Sequence, residues 1–194
     1  EQEIMDLIYV QDNFKSSLEN SDTSPYHILI DGDSHLIQLE QDTQIYSTEA
    51  ASFDFHHIFE DDFHEVSAFI TIAKDKTCFL DVGASRGVYS TIFNKLNPNG
   101  IAFAFEGSAQ SCSAIEELAK KNMISGKIIV NECMVGDRNG KDYFSEENCG
   151  YVQILENESV NTIERDIITL DSFCEKNNIA PDFIKIDVEG YELE

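Results

Sequence analysis

The sequence predicts an α/β fold, a doubly wound and mostly parallel sheet, carried behind an acidic α+β extension. Three observations predict it. From Thr77 onward, short apolar runs alternate with helical stretches, as expected of parallel strands covered on both faces. The first run ends in a small-residue turn, Gly83-Ala84-Ser85-Arg86-Gly87, that opens a helix. The charge is also unevenly spread. Of a net −24, residues 1–75 hold 17 acidic and 2 basic groups (−15), and residues 76–194 hold 20 and 11 (−9).

The extension, residues 1–75, still reads as folded. Ile4, Leu7, Ile8, Phe14 and Leu18 recur at helical spacing, with Pro25 beyond the helix end. Residues 26–30 and 35–39 read as two strands around Asp31-Gly32-Asp33. A second helix is predicted near 60–73, with Phe59, Phe63, Val66 and Ile70 on one face.

In residues 76–194 the first strand is Cys78 to Val82. Val88, Ile92 and Leu96 mark a helix closed by Asn97-Pro98-Asn99-Gly100. A second strand, Ile101 to Phe105, precedes a helix carrying Ala109, Cys112, Ile115 and Ala119. The third strand is Lys127 to Asn131. Residues 137–160 are polar and predict a turn with short irregular strands. A short helix at 171–177 leads to the fourth strand, Phe183 to Asp187.

Composition narrows the function classes. At 42% hydrophobic, with 13 Phe and 7 Tyr, the chain can bury roughly 70% of its unfolded surface. So acidic a protein repels a nucleic-acid backbone, which argues against nucleic-acid partners. No run nears the length of a membrane span, and the start, Glu1-Gln2-Glu3, does not resemble a signal peptide. Five cysteines (Cys78, Cys112, Cys133, Cys149, Cys174) lack a C-x-x-C pair and read as small buried hydrophobes in a reducing, cytoplasmic setting. The sequon Asn157-Glu158-Ser159 matters only in a secreted protein. His56, His57 and His64 lie beside Glu60, Asp61 and Asp62, but the second histidine of a zincin helix is missing, and a surface acidic helix is the reading.

The chemistry gathers at strand ends. Doubly wound sheets bind ligands beyond the C-terminal ends of their strands. There, Gly83 and Gly87 permit a tight turn, and Asp81 can tie down loop amides. Glu106 follows Gly83 by 23 residues, the distance at which a carboxylate accepts ribose hydroxyls. Asp187-Val188-Glu189-Gly190 ends the fourth strand. Together these favour a nucleoside-containing cofactor. Dinucleotide loops prefer G-x-G-x-x-G; this loop reads G-A-S-R-G, with Ser90 where the last glycine might be. The spacing leans toward S-adenosylmethionine, which has no pyrophosphate to cradle.

Residues 79–90, Phe-Leu-Asp-Val-Gly-Ala-Ser-Arg-Gly-Val-Tyr-Ser, resemble the cofactor loop of FkbM-type methyltransferases. The likeness continues at Ala104-Phe105-Glu106 and at residues 135–140. It is strongest at Thr169 to Phe173 followed by Pro181 to Glu192, and it covers about residues 77–194. Ser85 and Gly107 depart from the Asn and Pro usual in the family, which bears on cofactor affinity. The resemblance implies a Rossmann-like class I methyltransferase fold that binds S-adenosylmethionine. Asp81, Gly83, Ala84, Ser85 and Gly87 would surround the methionine part, and Glu106, with Gly107 beside it, would hold the ribose. The segment at Cys133-Met134 would border the adenine. Asp187 would lie near the transferable methyl.

Methyl transfer from a sulfonium depends chiefly on positioning. Asp187 and Glu189 are the candidates for a base, or for oxygen ligands to a divalent metal, which is possible but not indicated. Asp187 could equally be a strand-end cap, and Lys185 is expected to pair with a neighbouring carboxylate. A sheet of this kind takes about seven strands, and the chain stops just past the fourth. The C-terminal strands are therefore expected to be missing, the chain being a fragment, a truncation or a protein completed by a partner, with Phe183 to Ile186 left as an exposed edge. The expected function is methyl transfer to a hydroxyl of a sugar or other small metabolite. The rivals are an NAD(P)-dependent oxidoreductase and a non-catalytic binding module.

Overall fold

The computed structural model describes residues 26–31, 34–39, 43–61, 63–145, 153–155 and 162–188. The helix expected from Ile4 to Leu18 lies outside them, as do Cys149, the sequon and Glu189.

Strands β1 (Tyr26–Asp31) and β2 (Ser34–Leu39) pair antiparallel, Tyr26 opposite Leu39 and Asp31 opposite Ser34, as the two expected strands do. A third strand, β3 (Gln44–Tyr46), adds to β2 and was not foreseen. The expected single helix near 60–73 is instead α1 (Ser52–His56), a π-helical turn (His57–Asp61) and α2 (Phe63–Ala73). Phe55, Phe59, Val66 and Ile70, at helical spacing, are all buried in the core.

The main sheet is built from β4 (Cys78–Val82), α3 (Val88–Leu96), β5 (Ile101–Glu106), α4 (Ala109–Lys121) and β6 (Ile128–Glu132). The later elements are β7 (Met134–Val135), β8 (Gly140–Ser145), β9 (Gln153–Leu155), β10 (Thr162–Ile168), α5 (Leu170–Asn177) and β11 (Phe183–Ile186). The strand order is β11-β4-β5-β6, all parallel. The chain winds outward from β4 and then returns to β4's other flank, which puts the topological switch point between β4 and β11.

Strand alternation divides the core. Phe79, Ala102, Ala104 and Phe183 face α2, α3 and α4, where Phe69 packs its ring on Phe79 and Phe183 and Phe93 packs on Phe79. Leu80, Val82, Phe105 and Ile184 face the other way, toward α5, whose Phe173 meets Phe103 and Phe105 edge-on. Buried rings such as Phe55, Phe59, Phe79 and Phe93 each stabilise the fold by roughly 1.5–3 kcal/mol. The first core includes Tyr26, Ile37, Ile45 and Phe55, so apolar packing runs without a break from β1 to the main sheet. Asn97 ends α3 and ties it to α2, its amide donating to the carbonyls of Phe93 (3.1 Å) and Ala73 (2.8 Å).

Two short strands, β8 and β9, lie within residues 137–160, where a turn and short irregular strands are expected, but the sequence does not mark β7 and β10, which join them in one sheet. This second four-stranded sheet has the order β7-β10-β8-β9 and runs from Met134 to Ile168. β10 runs antiparallel to β8 from Thr162↔Ser145 to Ile167↔Gly140, and parallel to β7. The described cysteines Cys112 and Cys133 are buried, and burial pushes their thiols up to about 12 and about 11. No helix among the described residues is long and apolar enough to cross a membrane.

Candidate active site

The site residues predicted from sequence gather at one end of the main sheet. Asp81 is the fourth residue of β4, one step before the strand ends. Only 1% exposed, it directs Oδ2 at the first turn of α3, accepting from the Ser90 amide (3.1 Å) and hydroxyl (2.7 Å). Its other oxygen, Oδ1, is buried with no hydrogen-bond partner among the described residues. Burial raises the Asp81 carboxyl above the usual range, and the Lys185 ammonium and the Ser90 hydrogen bonds only partly oppose it.

The loop after β4 explains its small residues. The amides of Gly83 and Ala84 both donate to the Phe105 carbonyl at 3.1 Å, which turns the chain over the end of β5. Gly83 has φ +73°, and a Cβ there would sit 1.9 Å from the Asp187 carbonyl oxygen. No side chain fits. Gly87, at φ +78°, begins α3 against Ile115, whose Cγ2 would lie 2.9 Å from an added Cβ. Ser85 is left-handed without being glycine, at φ +48°.

Glu106 ends β5 beside this loop and is 7% exposed. Its Oε2 accepts from the Ser85 amide (3.0 Å) and its Oε1 from the Ser108 amide (2.8 Å), so one carboxylate joins the glycine loop to the start of α4. Burial raises its carboxyl despite these amides. A carboxylate has about four acceptor sites, so both oxygens keep capacity for a ligand. Gly107 follows, its carbonyl taking a hydrogen bond from Arg165 Nε at 2.7 Å. Met134, 7% exposed, lies just beyond β6 and pairs with Ile167 of β10.

Asp187 follows β11. Its amide donates to the Val82 carbonyl (3.0 Å), and its half-exposed carboxylate takes the Lys185 ammonium at 2.8 Å. Lys185 pairs with a carboxylate, as expected; its Nζ also lies 4.5 Å from the centroid of the Tyr89 ring. The structure therefore brings Asp81, Gly83, Ala84, Ser85, Gly87, Glu106, Gly107, Met134 and Asp187 to the same strand ends. Glu189 lies outside the described residues.

Two contributors were missed. Asp54 of α1 accepts from Ser85 Oγ (3.0 Å) and Arg86 (2.6 Å). Arg165 of β10 spans Gly107 and Glu132, the latter at 3.0 Å. Both act across 31 or more residues of sequence, and no motif marks either position. Among the described residues, no group of three or more His, Cys, Asp or Glu is placed to hold a metal ion.

The sheet order, the glycine turn and the strand-end carboxylates define a Rossmann-like domain. Residues 81–194 match the family described as the methyltransferase FkbM domain, and the chain belongs to that family. No curated protein matches the chain. Solved structures similar to it include precorrin-6y C5,15-methyltransferase from Geobacter metallireducens GS-15, 26% identical over 36% of this chain, with a TM-score of 0.33. Another is TYW2 of M. jannaschii in complex with AdoMet, 13% identical over 57% of this chain, with a TM-score of 0.36. The chain spans 38% and 44% of those two proteins, less than half of either.

Proposed function

We propose that the protein is an S-adenosylmethionine-dependent methyltransferase acting on a hydroxyl of a sugar or other small metabolite. The reading is carried by the family match laid on one geometry: two buried carboxylates, Asp81 and Glu106, at the ends of adjacent strands, with the glycine loop between them. The residues suit the cofactor. Asp81 keeps a buried acceptor oxygen free for an ammonium group, and Glu106 keeps acceptor capacity for a pair of ribose hydroxyls. Gly83, Ala84, Ser85 and Gly87 bring backbone close to the methionine part, while Gly107 and Met134 border the nucleoside.

Bound there, the cofactor supplies a methyl group made electrophilic by its sulfonium. The chain's own share is mainly orientation, because an in-line displacement is accelerated most by holding the two reactants aligned. Asp187, half exposed and held by Lys185, is the described carboxylate that could take the hydroxyl proton, with Glu189 the second candidate. Ser90 supports this cofactor over a dinucleotide. It fills the place of a third glycine with a fully buried side chain committed to Asp81.

The test is calorimetric titration of S-adenosylmethionine and NAD in parallel. S-adenosylmethionine alone is expected to bind, and Glu106→Ala is expected to weaken it tenfold or more, since charge-assisted hydrogen bonds are each worth about 1.5–3 kcal/mol. Binding of NAD instead, or an unchanged affinity in the variant, would overturn the assignment.

A further inference from the structure

The glycine loop contains one residue whose conformation its own sequence does not favour. Ser85 sits at φ +48°, where a Cβ is disfavoured and glycine is the usual occupant. Two carboxylates hold it there from different elements. Glu106 takes its amide, and Asp54 takes its hydroxyl at 3.0 Å through Oδ2. The other oxygen of Asp54 takes the Arg86 guanidinium at 2.6 Å. Asp54 is itself fixed, its side chain only 12% exposed, because the neighbouring Phe55 is buried and packs against Phe59. A short helix far from the loop in sequence thus grips two consecutive loop residues.

We infer that Asp54 is a positioning residue of the cofactor loop, clamping Ser85 and Arg86 so that the loop is shaped before any cofactor arrives. This rests on the reading of residues 81–87 as the S-adenosylmethionine site. The clamp acts in the free protein: with it, the Ser85 amide stays on Glu106 and the loop backbone stays pre-organised, so binding need not order it. Without it, Ser85 relaxes toward negative φ and the loop must be re-formed on binding. Asp54 touches no cofactor in this account; it works through Ser85 and Arg86.

Hydrogen exchange on the unliganded full chain, reading the peptide that spans residues 83–90, tests the clamp without any cofactor. Asp54→Ala and the near-isosteric Asp54→Asn should each speed exchange in that peptide while leaving β5 and α4 as protected as before. The increase should be about tenfold for Asp54→Ala and smaller for Asp54→Asn, which keeps an acceptor for the Ser85 hydroxyl. Affinity for S-adenosylmethionine should fall about fivefold in Asp54→Ala, with a recovery of at least half that loss in Asp54→Ala/Ser85→Gly, since glycine takes the left-handed conformation without an anchor. Unchanged exchange in the 83–90 peptide overturns the inference, and so does a loss of affinity that glycine at position 85 leaves untouched. If the wild-type chain binds no S-adenosylmethionine, the cofactor reading fails, and the exchange comparison still decides the clamp.

Discussion

The two ends of the central sheet treat the same side chain in opposite ways. At the N-terminal end, Asp182 precedes β11 and clasps the start of β4. Its Oδ1 accepts from the Cys78 amide (2.9 Å) and its Oδ2 from the Thr77 amide (2.9 Å) and hydroxyl (3.0 Å), while its own amide donates to the Cys78 carbonyl. Burial pushes that carboxyl up, but the two amides and the hydroxyl outweigh it and leave the group below the usual carboxylate range. At the C-terminal end, Asp81 is far more buried, has one oxygen without a partner among the described residues and is raised. Positive φ does not separate the two ends, since Asp75 adopts it ahead of β4 as Ser85 does beside Asp81, but only Ser85 lies in the loop between the two buried carboxylates. A well-satisfied carboxylate fastens strands together. An under-satisfied one in a strained loop lowers stability by itself and leaves an acceptor for a ligand.

The sharpest way to break this division is Gly83→Ala. The added Cβ meets the Asp187 backbone carbonyl at 1.9 Å, and backbone cannot swing aside as a side chain can. Either the loop or the end of β11 must move. The expected cost is about 3 kcal/mol of stability, with loss of measurable cofactor binding. Gly87→Ala supplies the contrast. Its nearest neighbours are Ile115 side-chain atoms, so the variant should lose less than half as much in thermal denaturation. Equal losses would show that loop strain, rather than the approach of Asp187, sets the requirement for glycine.

Asp81→Asn sharpens the comparison through pH. The folded state raises this carboxyl, so between the usual aspartate range and the raised value it binds more protons than the unfolded chain. Its contribution to stability is therefore full at low pH and falls as pH rises through that window. Removing the charge should make the melting temperature of the variant, relative to wild type, climb as pH goes from 4 to 8 in the absence of ligand. Affinity for S-adenosylmethionine should drop tenfold or more. A melting difference that does not vary with pH would mean that the buried charge is not what the folded state resists.

How much of this was legible follows from where each signal resides. The main sheet is packed on both faces, most fully at β4 and β5, so β4, β5, β6 and β11 stand out as apolar runs, and the turn glycines mark the strand end of the candidate site. Asp81 and Glu106 could be picked out because strand ends locate them. The second sheet escaped notice because β10 reads Thr-Ile-Glu-Arg-Asp-Ile-Ile and pairs with partners far away in the chain, β8 and β7. A half-exposed strand of charged residues resembles a loop until its neighbours are known. The π turn at His57–Asp61 leaves no mark in the sequence, since Phe55, Phe59, Val66 and Ile70 keep an ordinary helical spacing across it. Asp54 and Arg165 carry no local mark, and their partners are set by tertiary packing alone.

The smallest expected effect belongs to Asp182→Asn, and it should carry the opposite sign to Asp81→Asn. Because the folded state lowers the Asp182 carboxyl, its contribution is present above the usual aspartate range and is lost as pH falls through the lowered value. Asparagine keeps one acceptor but presents an amide to a backbone N–H, which breaks part of the clasp between β4 and β11. The group faces solvent, so screening keeps the loss near about 1 kcal/mol at neutral pH, roughly 2–4 °C in melting temperature. Both differences should shrink on acidification, the Asp182→Asn loss and the Asp81→Asn gain, and they carry opposite signs at neutral pH. Cofactor affinity should not change, because the clasp lies at the end of the sheet away from the glycine loop. A fall in affinity comparable to that of Asp81→Asn would mean that the strand ends are coupled through β4, and that the clasp helps to place the loop as well as the strands.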